Sequence, residues 1–109
     1  MKRGDIVTVA LQGDHGKPRP AVVIESDRLR PTDTVLVCLM TSTLQVDAAF
    51  RRQTVEAASS NGLRVRSQIM VDKVFAVRRE KCGAMIGVLD KGSLQALDRK
   101  LALVIGLAD

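Results

Sequence analysis

The stretch at residues 13–24 reads GDHGKPRPAVVI and places ionisable side chains directly before an apolar run. Arg19 lies between Pro18 and Pro20, and the fixed φ angles of the two prolines restrict the backbone that carries it. A guanidinium held in this way can grip a phosphate through paired hydrogen bonds at a low cost in entropy. His15, the single histidine of the chain, can transfer protons near neutral pH. A stiff strand entry and an idle surface histidine would produce the same sequence, so the residues alone leave both interpretations open.

The sequence excludes three other kinds of phosphate or hydrolase chemistry. Gly13, Gly16 and Lys17 match part of a phosphate-binding loop, but the spacing is too short for a Walker motif, and Pro18 stands where that motif has Ser or Thr. The chain has neither the paired histidines of a helical zinc site nor the Gly-x-Ser-x-Gly motif of serine hydrolases. The sequence therefore predicts no metal site and no cofactor.

Composition predicts one small domain that binds a polyanion. The 109 residues are 46% hydrophobic, which suits a single domain over residues 1–109. A net charge of +5 favours nucleic acid or an acidic protein as partner. Residues 64–81 hold six basic and two acidic side chains, although a solvated strand face would look the same. Without Trp or Tyr, recognition of RNA chiefly by stacking is disfavoured, so phosphate and base-edge contacts must dominate.

Two observations bear on the compartment. Cys38 and Cys82 lie far apart without metal-ligand spacing, which predicts neither a zinc site nor a disulfide and fits a reducing cytoplasm. The first residues, MKRGD, are not followed by the apolar run of a signal peptide, and no stretch approaches the roughly 20 apolar residues of a membrane span. We expect a soluble, cytoplasmic protein with no membrane partner.

The chain is predicted to be mainly β, with a helix at its C-terminal end. β-branched and apolar runs predict strands at residues 6–11, 21–24, 34–40, 50–56, 67–77 and 85–88. The run at 34–40 is apolar enough for burial on both faces, 50–56 is mixed and predicted to be exposed, and 57–63 is predicted to be a loop. From Asp90, the natural N-cap, to Gly106, the natural stop, one helical face carries Leu94, Leu97, Leu101, Val104 and Ile105. We therefore predict a small, strongly bent antiparallel sheet or barrel closed by this helix.

The whole chain resembles the MazF/PemK family of toxin-antitoxin ribonucleases. The matching stretches, in the family's order and spacing, are RGDIV at 3–7, GKPRPAVVI at 16–24, TVLVCLMTS at 34–42, NGLRVRSQIMVDKV at 61–74 and the tail from Gly87 to Leu107. The resemblance implies an SH3-like barrel of the CcdB/MazF type, usually a homodimer, that cuts single-stranded RNA without metal. In that chemistry the 2′-hydroxyl attacks the adjacent phosphate and leaves a 2′,3′-cyclic phosphate and a 5′-hydroxyl.

Site residues follow from the same resemblance. Arg19 matches the arginine that acts on the scissile phosphate, and Thr41 matches the threonine that helps to hold the pentavalent transition state. Some PemK-type members carry a catalytic arginine and an aspartate where this chain has Met70 and Asp72. Met70 cannot transfer protons, so that step is assigned to Arg19, His15 or a nearby basic residue. The predicted substrate-binding residues are Lys17, Ser42, Arg64, Arg66, Gln68 and Asp72.

The sequence also predicts a protein partner and leaves two alternative functions open. A cognate antitoxin with an acidic, partly disordered C-terminal segment is expected to fold across the Arg19 loop and the basic stretch at residues 64–81. One alternative is a CcdB-like inhibitor of DNA gyrase, although that family carries its activity in a Trp-containing C-terminal end and this chain ends in VIGLAD. The other is a non-catalytic SH3-like nucleic-acid-binding module.

Overall fold

The computed structural model describes residues 1–11 and 17–108. These residues form six β-strands and one α-helix: β1 (Asp5–Val9), β2 (Arg19–Val23), β3 (Thr34–Thr41), β4 (Arg52–Val55), β5 (Ser67–Arg78), β6 (Cys82–Val88) and α1 (Lys91–Val104). Two short 3₁₀ turns, Ala49–Arg51 and Arg79–Lys81, lead into β4 and β6. The described strands form an antiparallel sheet in the order β4-β5-β3-β2-β1-β6. The predicted mainly β fold with a C-terminal helix is confirmed.

Strands β1 and β2 form the predicted hairpin, with bounds one or two residues away from the predicted ones. Val9 of β1 faces Arg19, and Thr8 faces Pro20. Pairing of β2 with β3 begins only at Ala21. The missing N–H of Pro20 therefore costs no hydrogen bond on the β3 side, which explains why a proline is tolerated in a strand that has neighbours on both sides.

Apolar side chains cover both faces of the central strand β3. Cys38 and Met40 belong to a core cluster that includes Leu97 of α1, whereas Val37 and Leu39 belong to a second cluster on the opposite face. The prediction of a strand buried on both faces is confirmed for residues 37–40, while Leu36 is 37% exposed. Helix α1 thus seals one face of the bent sheet.

Strand β5 is long and bulged. Its pairing with β3 shifts abruptly, because Cys38 faces Val74 whereas Met40 faces Ile69. The extra residues of β5 between these two points form an irregularity that bends the strand, as bulges do. The half of β5 that begins at Ser67 pairs with β4 and with the end of β3, and the half that ends at Arg78 pairs with the start of β3.

Two predicted features are wrong. Residues 50–56 are not an exposed strand: a 3₁₀ turn precedes β4, in which Gln53 and Val55 are buried. Gln53 is buried because β4 packs under α1, where its Nε2 donates to the Ser93 carbonyl at 2.8 Å. Ile105 does not share the buried helical face, since α1 ends at Val104 and Ile105 is 60% exposed at its C-cap.

Both predicted ends of the helix are confirmed. Asp90 caps the N-terminus, its carboxylate accepting from the Ser93 backbone N–H at 3.1 Å. Hydrogen bonds from the Ser93 side chain and from its backbone N–H lower the pKa of Asp90 below its usual value. Gly106 follows the helix with φ of 82°, the left-handed conformation that glycine adopts without strain. Within residues 1–11 and 17–108, no helix has both the length and the apolar character needed to cross a membrane.

Candidate active site

A cleft of about 860 Å³ lies between the start of β2, the end of β3 and the loop that precedes β5. Five of the nine predicted site residues line it: Lys17, Arg19, Thr41, Ser42 and Arg64. Its floor is apolar and includes Met40 and Ile86. The fold therefore brings together three cations and two hydroxyls that lie as many as 47 residues apart in the chain. Such a set of cations and hydroxyls can bind phosphate groups through charge-assisted hydrogen bonds.

Arg19 occupies the first position of β2, at the edge of this cleft. Its backbone pairs with Val9 of β1, so its position is set by the sheet and by the two prolines that flank it. The side chain is exposed. Both Pro18 and Pro20 also line the cleft. The sequence predicted this arginine on a loop before the strand, whereas it lies at the first position of the strand itself.

Thr41 is the last residue of β3, facing the cleft beside Ser42. Its Oγ1 accepts a hydrogen bond from the Thr43 backbone N–H at 3.1 Å. The hydroxyl hydrogen remains available for donation, because a hydroxyl can accept and donate at the same time. Thr41 can thus cap its own backbone and still present a donor to a phosphate oxygen.

The wall that carries Arg64 is built by Asn61 and Gly62, which are not among the predicted site residues. The buried Asn61 side chain accepts from the backbone N–H groups of Ala58 and Leu63 at 3.1 and 3.0 Å, and donates to the Glu56 carbonyl at 2.9 Å. Gly62 follows with φ of 71°. The Asn-Gly pair in the NGLRV motif is a recognised turn signal, so the sequence did contain a pointer to this wall.

Gln68 does not lie in the cleft, contrary to its predicted role as a substrate-binding residue. It is 5% exposed, and its side-chain amide bonds to the Gln45 backbone, to Thr54 and to Arg52. A side chain that is buried and fully hydrogen-bonded inside the protein has no capacity left for reading bases. Its contacts instead hold the segment that follows Thr41.

Arg66 and Asp72 also lie outside the residues that line the cleft. The guanidinium of Arg66 forms an exposed ion pair with Glu56 at 2.8 Å, which points it along the surface. Asp72 is exposed within the bulge of β5. Their predicted contact with substrate is therefore not supported by their positions.

The basic stretch at residues 64–81 is not one continuous surface. Arg64 lines the cleft at one end of β5, whereas Arg79 lies beyond the other end of this 12-residue strand. There Arg79 pairs with Glu25 at 3.3 Å and donates to the Thr32 carbonyl. The basic stretch at residues 64–81 therefore has one cationic group beside the cleft at Arg64 and another at Arg79, at opposite ends of β5.

The predicted catalytic residue His15 lies outside the described residues. Among residues 1–11 and 17–108, no cluster of three His, Cys, Asp or Glu side chains is placed to hold a metal ion.

Cys38 is a buried free thiol, and burial raises its pKa to about 12. Cys82 is a partly buried free thiol whose pKa is also raised by burial.

Comparison with known proteins shows the family of this chain. Residues 2–105 match the family of PemK-like, MazF-like toxins of type II toxin-antitoxin systems. A relative from Mycolicibacterium smegmatis, described as a probable endoribonuclease MazF, is 38% identical over 109 residues, with 99% of each chain covered. The chain therefore belongs to the MazF/PemK toxin family.

Solved structures share the fold of this chain. An endoribonuclease from a mycobacterial species, in complex with its cognate antitoxin, superposes with a TM-score of 0.78 at 18% identity, covering 98% of this chain and 96% of that one. The Mycobacterium tuberculosis toxin MazF-mt6 also gives a TM-score of 0.78, at 22% identity, with 94% and 96% covered. At these identities the likeness concerns the fold alone.

Proposed function

We propose that this protein is the toxin of a type II toxin-antitoxin system and an endoribonuclease that cuts single-stranded mRNA. The observation that carries the proposal is the meeting of Arg19 and Thr41 in one cleft, with Lys17 and Arg64 beside them. The 38% identical relative that is described as a probable endoribonuclease MazF supports the same activity. Because its substrate is mRNA, we place the protein in the cytoplasm.

The reaction is a transesterification within the RNA. The 2′-oxygen forms a bond to the adjacent phosphorus while the bond from phosphorus to the 5′-oxygen breaks. The 2′-hydroxyl loses its proton to a base, and the departing 5′-oxygen gains one. The products are a 2′,3′-cyclic phosphate and a 5′-hydroxyl. His15 is our candidate for one of these proton transfers, since an imidazole titrates near neutral pH.

Arg19 and Thr41 stabilise the transition state in this proposal. Negative charge builds on the equatorial oxygens of phosphorus as the fifth bond forms. The guanidinium of Arg19 and the hydroxyl of Thr41 are donors whose positions are set by β2 and β3, so they need little rearrangement when the charge develops. Lys17 and Arg64 contact neighbouring phosphates and bind the strand rather than the reacting atoms.

The cleft suits an unpaired strand. Its volume of about 860 Å³ lies within the range of pockets that hold drug-sized ligands, roughly the size of one or two nucleotides. A single strand can place one base against the partly exposed Ile86 on the cleft floor, because unpaired bases are free to leave the stack.

Two protein partners belong to the proposal. We propose inhibition by a cognate antitoxin with an acidic, partly disordered segment, as the antitoxin-bound mycobacterial relative suggests. We also propose a homodimer. Leu36 and Val74 lie on the same face of the β3–β5 pair and are 37% and 39% exposed, which leaves apolar surface for a second copy to cover.

The test is to incubate the pure protein with a long RNA in EDTA and to map the ends of the fragments. We expect cleavage at a short recurring sequence, with 5′-hydroxyl ends that accept phosphate from a kinase and 3′ ends that carry a cyclic phosphate. Binding without cleavage would instead support the non-catalytic module. Trapping of gyrase on DNA would support the CcdB-like alternative.

A further inference from the structure

Gln68 uses its whole hydrogen-bonding capacity inside the protein. Its Nε2 donates to the Gln45 carbonyl at 3.0 Å and to the Thr54 hydroxyl at 3.3 Å. Its Oε1 accepts from the Gln45 backbone N–H at 2.9 Å and from Arg52 Nη1 at 3.1 Å. These four contacts account for the two donors and two acceptor sites of an amide.

The position of Gln68 links this amide to the active-site threonine. In the sheet, Gln68 faces Thr41 of β3 on one side and Thr54 of β4 on the other. As in the pairing of two β-strand residues, the Gln68 side chain both accepts from the Gln45 N–H and donates to the Gln45 carbonyl. These two bonds fix the chain at Gln45, so the segment of residues 41–45 is tied to β5 at both ends.

Arg52 holds the middle of the same segment. Its Nη1 donates to the Thr43 carbonyl at 3.1 Å as well as to Gln68. The N–H of Thr43 in turn donates to Thr41 Oγ1. Arg52 therefore fixes the Thr43 carbonyl, and the Thr43 N–H in turn fixes the Thr41 hydroxyl oxygen. A threonine side chain has few staggered rotamers, and this contact selects one of them.

We propose that Gln68 and Arg52 are positioning residues, which orient the Thr41 hydroxyl through the backbone of residues 43–45. This inference rests on the proposed function, because it assigns these contacts to the catalytic step. Buried polar networks of this kind specify one geometry when every member is satisfied. Loss of one member releases the segment without touching the cations that bind RNA.

A double-mutant cycle tests the proposal. Gln68→Met keeps the length of the side chain and removes its four polar contacts. We expect kcat to fall about tenfold or more, up to the loss of about 10²-fold expected for Thr41→Ala, while KM stays within about twofold. In the Thr41→Ala background, Gln68→Met should lower kcat no further, since the group that it positions is gone. Independent, multiplicative losses would overturn the proposal.

Gln53→Met is the matched control. Gln53 is as buried as Gln68, at 6% exposed, but its amide reaches Ser93 of α1 on the helix side of β4. We expect the control to keep the wild-type kcat. An equal loss of kcat in both variants would show a general effect of burying methionine and would overturn the positioning role.

Amide hydrogen exchange at Thr43 gives a readout that does not depend on cleavage. In the folded, full-length protein, Gln68→Met should speed exchange at Thr43 while Gln53→Met leaves it unchanged. Unchanged exchange in Gln68→Met would overturn the proposal even if the wild-type protein cuts RNA. If the wild-type protein cuts nothing, the proposed function fails, and exchange at Thr43 alone decides whether Gln68 holds this segment.

Discussion

The backbone of Asn61 lies directly against Gly87 of β6, so closely that a Cβ atom on Gly87 would overlap with the Asn61 carbonyl group. Gly62 lies in the same way against the Ile86 carbonyl. The bond from the Val88 N–H to the Ser60 carbonyl at 2.9 Å joins the same loop to β6. These contacts place the loop before β5 on the cleft wall, where Arg64 lines the same cleft as Arg19.

We predict that Gly87→Ala weakens RNA binding and lowers stability. The added methyl group must push the Asn61 backbone away, which displaces the wall that carries Arg64. Gly92→Ala is the matched control, since its Cβ would meet only Asp90 Oδ2 at an ordinary 3.4 Å in the first turn of α1. Alanine favours a helix by up to about 1 kcal/mol over glycine, so the control should be neutral or stabilising. Urea unfolding and RNA affinity check both variants, and wild-type behaviour of Gly87→Ala would contradict the prediction.

Arg64 and Arg66 are predicted to differ although they are two residues apart. Arg64 lines the cleft, whereas Arg66 pairs with Glu56 on the surface. Arg64→Ala should weaken binding to uncleavable RNA and reduce the slope of log K against log salt by about 0.7, the value for one phosphate contact on a single strand. Arg66→Ala should leave both quantities unchanged. Equal effects of the two substitutions would show that a position in the cleft does not distinguish Arg64 from Arg66 in RNA binding.

Arg19→Ala is predicted to abolish cleavage while the protein stays folded, because Arg19 is exposed at the start of β2. Arg19→Lys should recover little activity, since an ammonium keeps the charge but loses the planar fork. Thr41→Ala should cost less, about 10²-fold, as expected for one lost donor to the transition state. Arg99→Ala, at an exposed site on α1, is the control for loss of a positive charge. Cleavage by Arg19→Ala at nearly the wild-type rate would remove Arg19 from the site.

Much of this arrangement could be predicted from local sequence. The apolar run at residues 34–40 predicts a strand buried on both faces because no polar residue interrupts it. Asp90 and Gly106 mark the ends of α1 through capping preferences that act within a few residues. Arg19 stands out through its two flanking prolines, which are its immediate neighbours.

The features that sequence reasoning missed depend on distant contacts. Gln68 bonds to the backbone of Gln45, 23 residues away along the chain. Without that contact, Gln68 is a polar residue within a strand and is interpreted as a substrate-binding residue. The basic stretch at residues 64–81 looked continuous because the length and bulge of β5 follow from its register with β3, not from its own residues. Burial of Gln53 required α1 to pack on β4, which no local pattern of β4 records.

The two thiols are predicted to react at different rates. Burial raises the pKa of Cys38 to about 12, so its thiolate is very rare at neutral pH, and the side chain is fully enclosed. Cys82 is partly accessible and should react first with a thiol reagent in the native protein. Cys38 should react only when the protein unfolds. Rapid modification of both thiols in the native state would contradict this order.

Titration of Cys38 also makes stability depend on pH in the alkaline range. In the unfolded chain the thiol has its ordinary pKa of 9.0, whereas the folded thiol keeps its proton up to about pH 12. Between these values the folded state binds one more proton, so the stabilisation is complete below about pH 9 and is lost as the pH rises toward 12. Cys38→Ala should reduce the slope of unfolding free energy against pH in this window, which urea unfolding at several pH values measures.

The last prediction concerns competition between RNA and the antitoxin. Carboxylates of an acidic segment and phosphates of RNA suit the same cations, so we expect both ligands to occupy the cleft that Lys17, Arg19 and Arg64 line. Arg64→Glu should weaken the affinity for an acidic antitoxin peptide and for uncleavable RNA together, and both affinities should fall with salt.

A charge reversal at the other end of β5 separates this surface from general electrostatic attraction. Arg78 is exposed and paired with Glu80 at 3.0 Å, 14 residues from Arg64 along the chain. Arg78→Glu changes the net charge by the same amount as Arg64→Glu, but it lies away from the cleft. If competition occurs in the cleft, Arg78→Glu leaves both affinities nearly unchanged. Equal losses in the two variants would assign the attraction to overall charge, and a loss of RNA affinity alone would place the antitoxin on another surface.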